Sequence, residues 1–348
     1  MKKLLIATAA MALVAGTAQA ASSVTIYGIV DSGIGSVDGV GATSQRVTGL
    51  VNGGLSTPRL GFKGTEDLGG GLAASFVLEQ EVLADTGAGA TNLFERGSFV
   101  TLSKSGAGSI SLGRQNYDEY ATGAGFDPFG GNNIGGWIAQ AQYGSARFTD
   151  GITLESAAVN GFKVKYQYAF GEVAGSTSKS KAESFGLHYA SGPFAASLIH
   201  SQRNNSSGVK ATATTAMYAK YDTSFGSLRA GTTNLKGYVA GALRDQDSYF
   251  IGGVFPVNAK VNVMAIHAWH QDMAGGSSAA TGKDAHGTAL GATYSMSKRT
   301  TLYAIGAMSR NNSLSALNVV STSKWGSAYT PDAGNDQNAY TVGIRHTF

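Results

Sequence analysis

Between Pro58 and Glu81 the chain reads PRLGFKGTEDLGGGLAASFVLEQE, and its side chains alternate in kind. Leu60 and Phe62 are interleaved with Arg59, Gly61 and Lys63; Leu72, Ala74, Phe76 and Leu78 are interleaved with Ala73, Ser75, Val77 and Glu79. A period of two means extended backbone with two unlike faces. The glycines of Asp67-Leu68-Gly69-Gly70-Gly71 supply the angles of a tight turn between the halves. The stretch is a β-hairpin with one apolar wall, and Arg59, Lys63 and Glu79 fall on the other. Phe162 to Phe170 repeats the pattern: Phe162, Val164, Tyr166, Tyr168 and Phe170 share one face, and Lys163, Lys165, Gln167 and Ala169 the other. Asn160-Gly161 just before it is a strong hairpin signal.

What the apolar walls touch follows from the rest of the chain. Met1-Lys2-Lys3, the apolar run Leu4 to Gly16 and Ala18-Gln19-Ala20 have the layout of a secretory signal with an A-x-A cleavage site. Residues 1–20 are therefore expected to be removed, leaving 21–348 as one exported unit. Without Lys2 and Lys3 the 26 basic residues become 24, against 22 acidic. So balanced a chain, with no dense basic run, is not expected to bind nucleic acid. With no cysteine, neither disulfides nor thiolate metal sites are available. Past the signal no apolar run reaches the ~18 residues of a membrane helix. A membrane crossing would have to use strands, and in lipid these must close into a barrel so that every backbone N–H and C=O is paired.

Sixteen such strands can be counted, with tight turns alternating with longer polar segments such as Val37 to Thr57, Asn116 to Gly144 and Gly237 to Asp245. Short connections on one rim and long ones on the other, with aromatics at both ends of apolar faces, form the layout of an all-β, transmembrane antiparallel β-barrel. Some strands alternate poorly, Val261 to His270 among them. The last, Tyr340 to Phe348, alternates cleanly and ends on an aromatic residue.

RLGFKGTEDLGGGL (Arg59 to Leu72), GSISLGRQ (Gly108 to Gln115), SKRTTLYA (Ser297 to Ala304) and VGIRHTF (Val342 to Phe348) resemble the Gram-negative general porins of β-proteobacteria, the Burkholderia and Neisseria type. The resemblance runs the length of the mature chain. It implies a trimeric, sixteen-stranded barrel in the bacterial outer membrane, enclosing a water-filled diffusion pore, amid outer-membrane lipid and lipopolysaccharide. It also implies that the barrel assembly machinery reads the terminal Phe348. In that family the long third loop folds into the lumen and narrows it. The matching segment is Asn116 to Gly144, with Asp118, Glu119 and Asp127 as its acidic groups and Phe126, Phe129 and Trp137 available to pin it to the wall. A mobile external loop is the alternative. Arg96 and Arg147 stand where the family places basic residues near the constriction.

Arg59, Lys63, Lys163 and Lys165 lie on polar walls, so with Arg96 and Arg147 they make the candidate basic side of a constriction facing the acidic loop. Strict alternation puts Arg96 in phase with Val100 and Leu102, on the lipid side; only a bulge or a strand-end position turns it inward. The same charges read equally as solvated groups in a wide lumen, or as local pairs such as Arg59 with Glu79. Acidic and basic groups across a narrow gap create a transverse field that sets ion preference, and no chemistry is required. The main expectation is a passive channel for small hydrophilic solutes and ions; the alternative is a solute-selective channel with a lumenal binding site. A barrel hydrolase would need a nucleophile paired with histidine, and no convincing set stands out. His267 and His270, three apart on a strand, point to opposite walls and make a poor metal pair. No cofactor is implied.

Overall fold

The computed structural model describes residues 23–89, 92–131, 134–136, 146–239, 242–272, 282–320 and 330–348. The signal-peptide reading and Trp137 lie outside them. Within them run β1 (Ser23–Val40), β2 (Gln45–Asn52), β3 (Arg59–Gly69), β4 (Leu72–Glu81), β5 (Gly97–Lys104), β6 (Gly108–Asn116), α1 (Asp118–Phe126), β7 (Arg147–Phe148), β8 (Gly151–Ser156) and β9 (Phe162–Ala169). Then follow β10 (Ala182–Ser191), β11 (Phe194–Asn204), β12 (Lys210–Thr223), β13 (Gly226–Val239), β14 (Ala242–Pro256), β15 (Val261–Gln271), β16 (Ala285–Ser295), β17 (Thr300–Asn311) and β18 (Gln337–Thr347).

All these pairings are antiparallel, and the ring closes where β1 pairs β18 from Ile29↔Thr347 to Val37↔Ala339. On its other edge β1 is shared: Ser23 to Ile29 pair with β3, and Ser32 to Val40 with β2. β2 and β3 are thus one barrel strand broken at 53–58. Likewise β7 and β8 both pair β6, at Gln115↔Phe148 and Leu112↔Ile152, and make one broken strand. Eighteen segments therefore fill sixteen places in a closed antiparallel barrel. At the seam the terminal Phe348 both donates its N–H to, and accepts a hydrogen bond from, the backbone of Gly28, each at 3.1 Å. The Phe348 ring lies where a Gly28 Cβ would stand.

The alternation sorts as the hairpins demand. Ile26, Ile34, Val100, Leu102, Leu198, Ile251, Leu290 and Val342 all point out and are exposed. Phe162, Phe194, Tyr221 and Tyr294 ring the short-turn end of this face, and Phe170, Phe185, Tyr249, Trp269 and Tyr340 the long-loop end. Such aromatic girdles mark the two lipid–water boundaries.

Two expected polar segments fold differently. In the Val37 to Thr57 stretch, β1 and β2 stay paired up to Val40↔Gln45. In the Gly237 to Asp245 stretch, the β13–β14 ladder continues to Val239↔Ala242. Beyond the apolar belt both faces of a strand meet water, so backbone pairing persists with no hydrophobic alternation to announce it.

The weak alternation of β15 has a physical cause. Its inward residues Met264, Ile266 and Ala268 are apolar because they are buried under inserted chain, in one cluster with Phe129, Ile134, Leu317, Val319, Tyr218 and Phe250. Part of the inner wall is therefore greasy and covered, while the inner faces of β3, β4, β8 and β9 carry the charges. Leu198→Arg would put a cation against hydrocarbon midway along β11. It should cost about 2–4 kcal/mol, read as a lowered midpoint of urea unfolding in lipid vesicles. An unchanged midpoint would contradict the outward placement.

Candidate functional site

The inserted segment begins directly after β6. Helix α1, DEYATGAGF, has two internal glycines and no side-chain cap at Tyr117. It is a poor helix by propensity, so tertiary contacts must hold it. Its first-turn acids suit the positive end of the helix dipole, but both are also buried against the wall. Asp118 accepts a hydrogen bond from Lys165 Nζ at 3.0 Å, and His188 Nε2 lies 3.0 Å from its other oxygen. Its backbone N–H donates to Gln167 Oε1 at 2.8 Å. Glu119 accepts from Ser201 Oγ at 3.0 Å and pairs with Arg203. Lys165, Gln167, His188, Ser201 and Arg203 all stand on inner faces of β9, β10 and β11. The next contacts are apolar: Phe126 stacks on Tyr218 at 5.6 Å.

Three wall glycines make room for this docking. A Cβ on Gly186 would collide with Asp118 Oδ2; one on Gly252 would stand 2.9 Å from Pro128 Cγ, and one on Gly291 2.9 Å from Phe129 Cε1. Beyond α1, the Asp127 carboxylate accepts the N–H of Phe129 at 2.8 Å and of Gly131 at 3.0 Å, closing a turn on itself. The sequence suggests that Asp118, Glu119 and Asp127 present negative charge to the pore. They are buried instead, and each carboxylate has partners that fix the segment. A carboxylate at the wall gains more from a guanidinium, an ammonium and backbone N–H groups than an apolar contact there would supply.

The basic residues separate into two groups. Lys163 and Lys165 both reach Glu155, at 2.8 and 3.3 Å, so with Asp118 they form an anchoring network. Arg59, Arg96 and Arg147 come together elsewhere. Arg96 directs Nε to Glu79 Oε1 at 2.7 Å and has Nη1 3.5 Å from Glu81 Oε2. Arg59 Nη1 lies 3.7 Å from the same Glu79 oxygen, the local pair expected of the hairpin. Arg147 donates Nε to the carbonyl of Arg96 at 3.2 Å, and its guanidinium is 6.0 Å from the Tyr120 ring of α1. Here the docked helix approaches the basic wall.

Arg96 escapes its unfavourable phase because it precedes β5. It ends a turn in which Phe94 adopts a φ of +55°. Lys63 faces inward, exposed, with Nζ 5.1 Å from the Tyr27 ring, and Tyr27 donates its hydroxyl to Glu79 Oε2 at 2.9 Å. His188, Glu155 and Arg203 were not singled out from the sequence. The first two fall on the polar parity of their strands, which was a usable signal. Arg203 stands near the end of β11, past its run of clear apolar alternation. Among the described residues no cluster of His, Asp and Glu could hold a metal ion.

The profile of a family described as Gram-negative porin matches residues 7–314. Outer membrane porin protein 32 of Delftia acidovorans is 32% identical over 366 residues, covering 100% of both chains. The major outer membrane protein P.IB of Neisseria meningitidis serogroup B is 32% identical over 210 residues, 56% of this chain and 57% of its own. The solved structure of an anion-selective porin from Comamonas acidovorans superposes with a TM-score of 0.83 at 31% identity, covering 94% of this chain and 100% of that one.

The docking should depend on acid in a defined direction. Burial pushes the Asp118 carboxyl up, but the His188 hydrogen bond and the Lys165 charge outweigh it and hold the group below its ordinary value. A lowered folded-state pKa means that the stabilisation is complete above the unfolded value of about 4 and is lost as pH falls through the lowered one. Current noise from a loosened segment should therefore rise only in strong acid. Asp118→Asn should show that noise at neutral pH, with a cost of about 2–3 kcal/mol, less than for a fully buried pair because Lys165 reaches solvent. Quiet traces from the Asn variant at neutral pH would contradict the anchoring role.

Proposed function

This chain belongs to the Gram-negative porin family, and we propose that within it the protein is an anion-preferring diffusion channel whose constriction is biased by Arg59, Arg96 and Arg147. It is an outer-membrane porin, a passive pore for small hydrophilic solutes and ions, and its family is one of channels rather than enzymes. The observation that carries the charge bias is the imbalance at the narrow point. Three guanidiniums share two carboxylates, Glu79 and Glu81, and Lys63 adds a further cation on the same inner wall. Asp118 and Glu119 of the inserted segment do not offset this, because Lys165 and Arg203 already neutralise them, and Asp127 is turned onto the backbone N–H groups of Phe129 and Gly131. A surplus of fixed positive charge between low-dielectric walls attracts anions and repels cations. The name of the Comamonas relative, an anion-selective porin, supports the same sign.

The inserted helix supports a constriction by occupying lumenal space next to Arg147. Trimeric assembly, removal of residues 1–20 after export, contacts with lipopolysaccharide and reading of Phe348 by the assembly machinery complete the proposal. The exposed apolar belt supports the lipid contacts, and the closed seam supports a role for Phe348 in assembly.

Planar-bilayer recordings should give stepwise conductance, and in a potassium chloride gradient the reversal potential should have the sign of chloride permeation. Arg59→Ala should lower the chloride-to-potassium permeability ratio by about five-fold, the equivalent of about 1 kcal/mol for one nearby charge. A wild-type reversal potential of the cation sign would reject the charge assignment.

A further inference from the structure

The stretch Ser297 to Ala304 takes no part in the constriction, yet its first three residues put two adjacent cations on the short-turn rim. Ser297-Lys298-Arg299 turns β16 into β17. Ser297 Oγ closes the bend by accepting the backbone N–H groups of Arg299 at 3.1 Å and Thr300 at 3.0 Å. The Lys298 and Arg299 side chains are left exposed, with no duty in the turn. Backbone hydrogen bonds join this turn to both neighbours. Ser295 donates its N–H to the carbonyl of Lys260, in the β14–β15 turn, at 2.8 Å, and Thr347 donates to the carbonyl of Arg299 at 2.9 Å. Lys260, Lys298 and Arg299 therefore stand on one continuous arc of rim. His346 of β18 is at its edge, with Nδ1 2.9 Å from Thr300 Oγ1.

Little balances this charge. β15, β16, β17 and β18 contain no aspartate or glutamate. Among the described residues, no ion pair includes Lys260, Lys298 or Arg299, and the terminal carboxylate of Phe348 is the one acid of the arc. Other short turns differ: Glu66 and Asp67 stand at the β3–β4 turn, and at the β12–β13 turn Lys220 is paired with Asp222 at 2.9 Å.

The arc also lies at a defined depth. Tyr294, four residues before Lys298, belongs to the aromatic girdle at the short-turn end, and Lys260 Nζ is 6.0 Å from its ring centre. Val257 and Met296, 65% and 55% exposed, put apolar side chains beside the cations. Such a girdle sits at headgroup level, where the phosphates of phospholipids begin. Long cationic side chains suit that boundary, with the stem on apolar surface and the head in the polar layer.

We propose that this arc is a docking site for an anionic phospholipid of the periplasmic leaflet, the one that faces the short turns. The phosphate would be held by the Arg299 fork and the Lys298 and Lys260 ammonium groups, and an acyl chain would run along Met296 and Tyr294. A planar guanidinium matches phosphate oxygens in pairs, and an ammonium adds a point charge. An acidic protein segment would meet the same charges, but the apolar side chains contiguous with them favour a ligand that carries both a phosphate and a hydrocarbon chain. The inference concerns how the barrel is seated in its bilayer, not permeation, and it rests on the outer-membrane reading.

The test uses the full-length protein in non-ionic detergent, given equal amounts of phosphatidylglycerol and phosphatidylcholine with the same acyl chains. Native mass spectrometry reads the ratio of the two lipids retained. Wild type should favour phosphatidylglycerol at least ten-fold. Lys298→Gln and Arg299→Gln should each lower the ratio about five-fold, the equivalent of about 1 kcal/mol per cation. Lys104→Gln serves as control. Lys104 lies on the same rim outside the arc, with Nζ donated to the carbonyl of Gly70, so its variant should retain lipid like wild type. Soluble glycerol phosphate should not displace the lipid, because it has no chain. Displacement at equal concentration would mean an adventitious ion only and would overturn the lipid assignment. Tighter binding of poly-glutamate than of phosphatidylglycerol would overturn it in favour of a protein partner. Equal retention of the two lipids by wild type, or an unchanged ratio in both variants, also overturns the site. Both variants should keep wild-type conductance steps in planar bilayers, so a lost preference is not lost folding. Absence of steps from wild type would reject the porin reading, whatever the lipid ratio.

Discussion

A strand that crosses hydrocarbon must have every backbone donor and acceptor paired, and this requirement makes the ring of strands indivisible. An unpaired edge at membrane depth would leave a row of N–H and C=O groups with no water to meet them. β1 carries the closure. It pairs with β18 along one edge and, along the other, with β2 and β3 in succession. The Gly28–Phe348 exchange extends the seam to the last residue, and the missing side chain at Gly28 leaves room for the terminal ring.

Once closed, the barrel has a second problem, since a lumen this wide is not filled by wall side chains alone. The solution is asymmetric. Phe126 and Phe129, Ile134, and Leu317 to Val320 pack on apolar inner faces such as those of β12, β14, β15 and β17, and build a core inside the barrel. Charged pairs fasten the leading end of that core to β9, β10 and β11. Burying Asp118 and Glu119 there pairs their charges with Lys165 and Arg203, so in the proposed channel the field is left to the wall where Arg59, Arg96 and Arg147 outnumber Glu79 and Glu81.

How far this was legible varies residue by residue. Arg59, Lys63, Lys163 and Lys165 were placed on the inner wall by parity, because a pleated strand can present alternate side chains only to opposite faces. The Arg59–Glu79 pair followed from hairpin register. Arg96 could not be placed so, since its parity points outward and a single left-handed residue, Phe94, lies in the turn that delivers it. The strand pairing at Val37 to Val40 and Gly237 to Val239 was invisible, because above the membrane the two faces of a ladder meet the same solvent. The three acids of the inserted segment are visible as charges, but the side chains that bind Asp118 and Glu119 come from residues 47 to 84 positions away, while Asp127 closes a local turn.

Alternation and turn chemistry, both local, are properties of the sequence alone, and they determined the strands, their count, their two faces and hence a barrel in a membrane. Family motifs along the chain agreed with that reading. Which charges pair with one another was decided only by tertiary structure. A charge in the sequence has a sign but no neighbours, and the docking of α1 paired Asp118, Glu119 and Lys165 while leaving the Arg59, Arg96 and Arg147 wall with its surplus. The physical reason is that electrostatic effect depends on distance and burial between segments far apart in the chain, and only closing the barrel sets those distances.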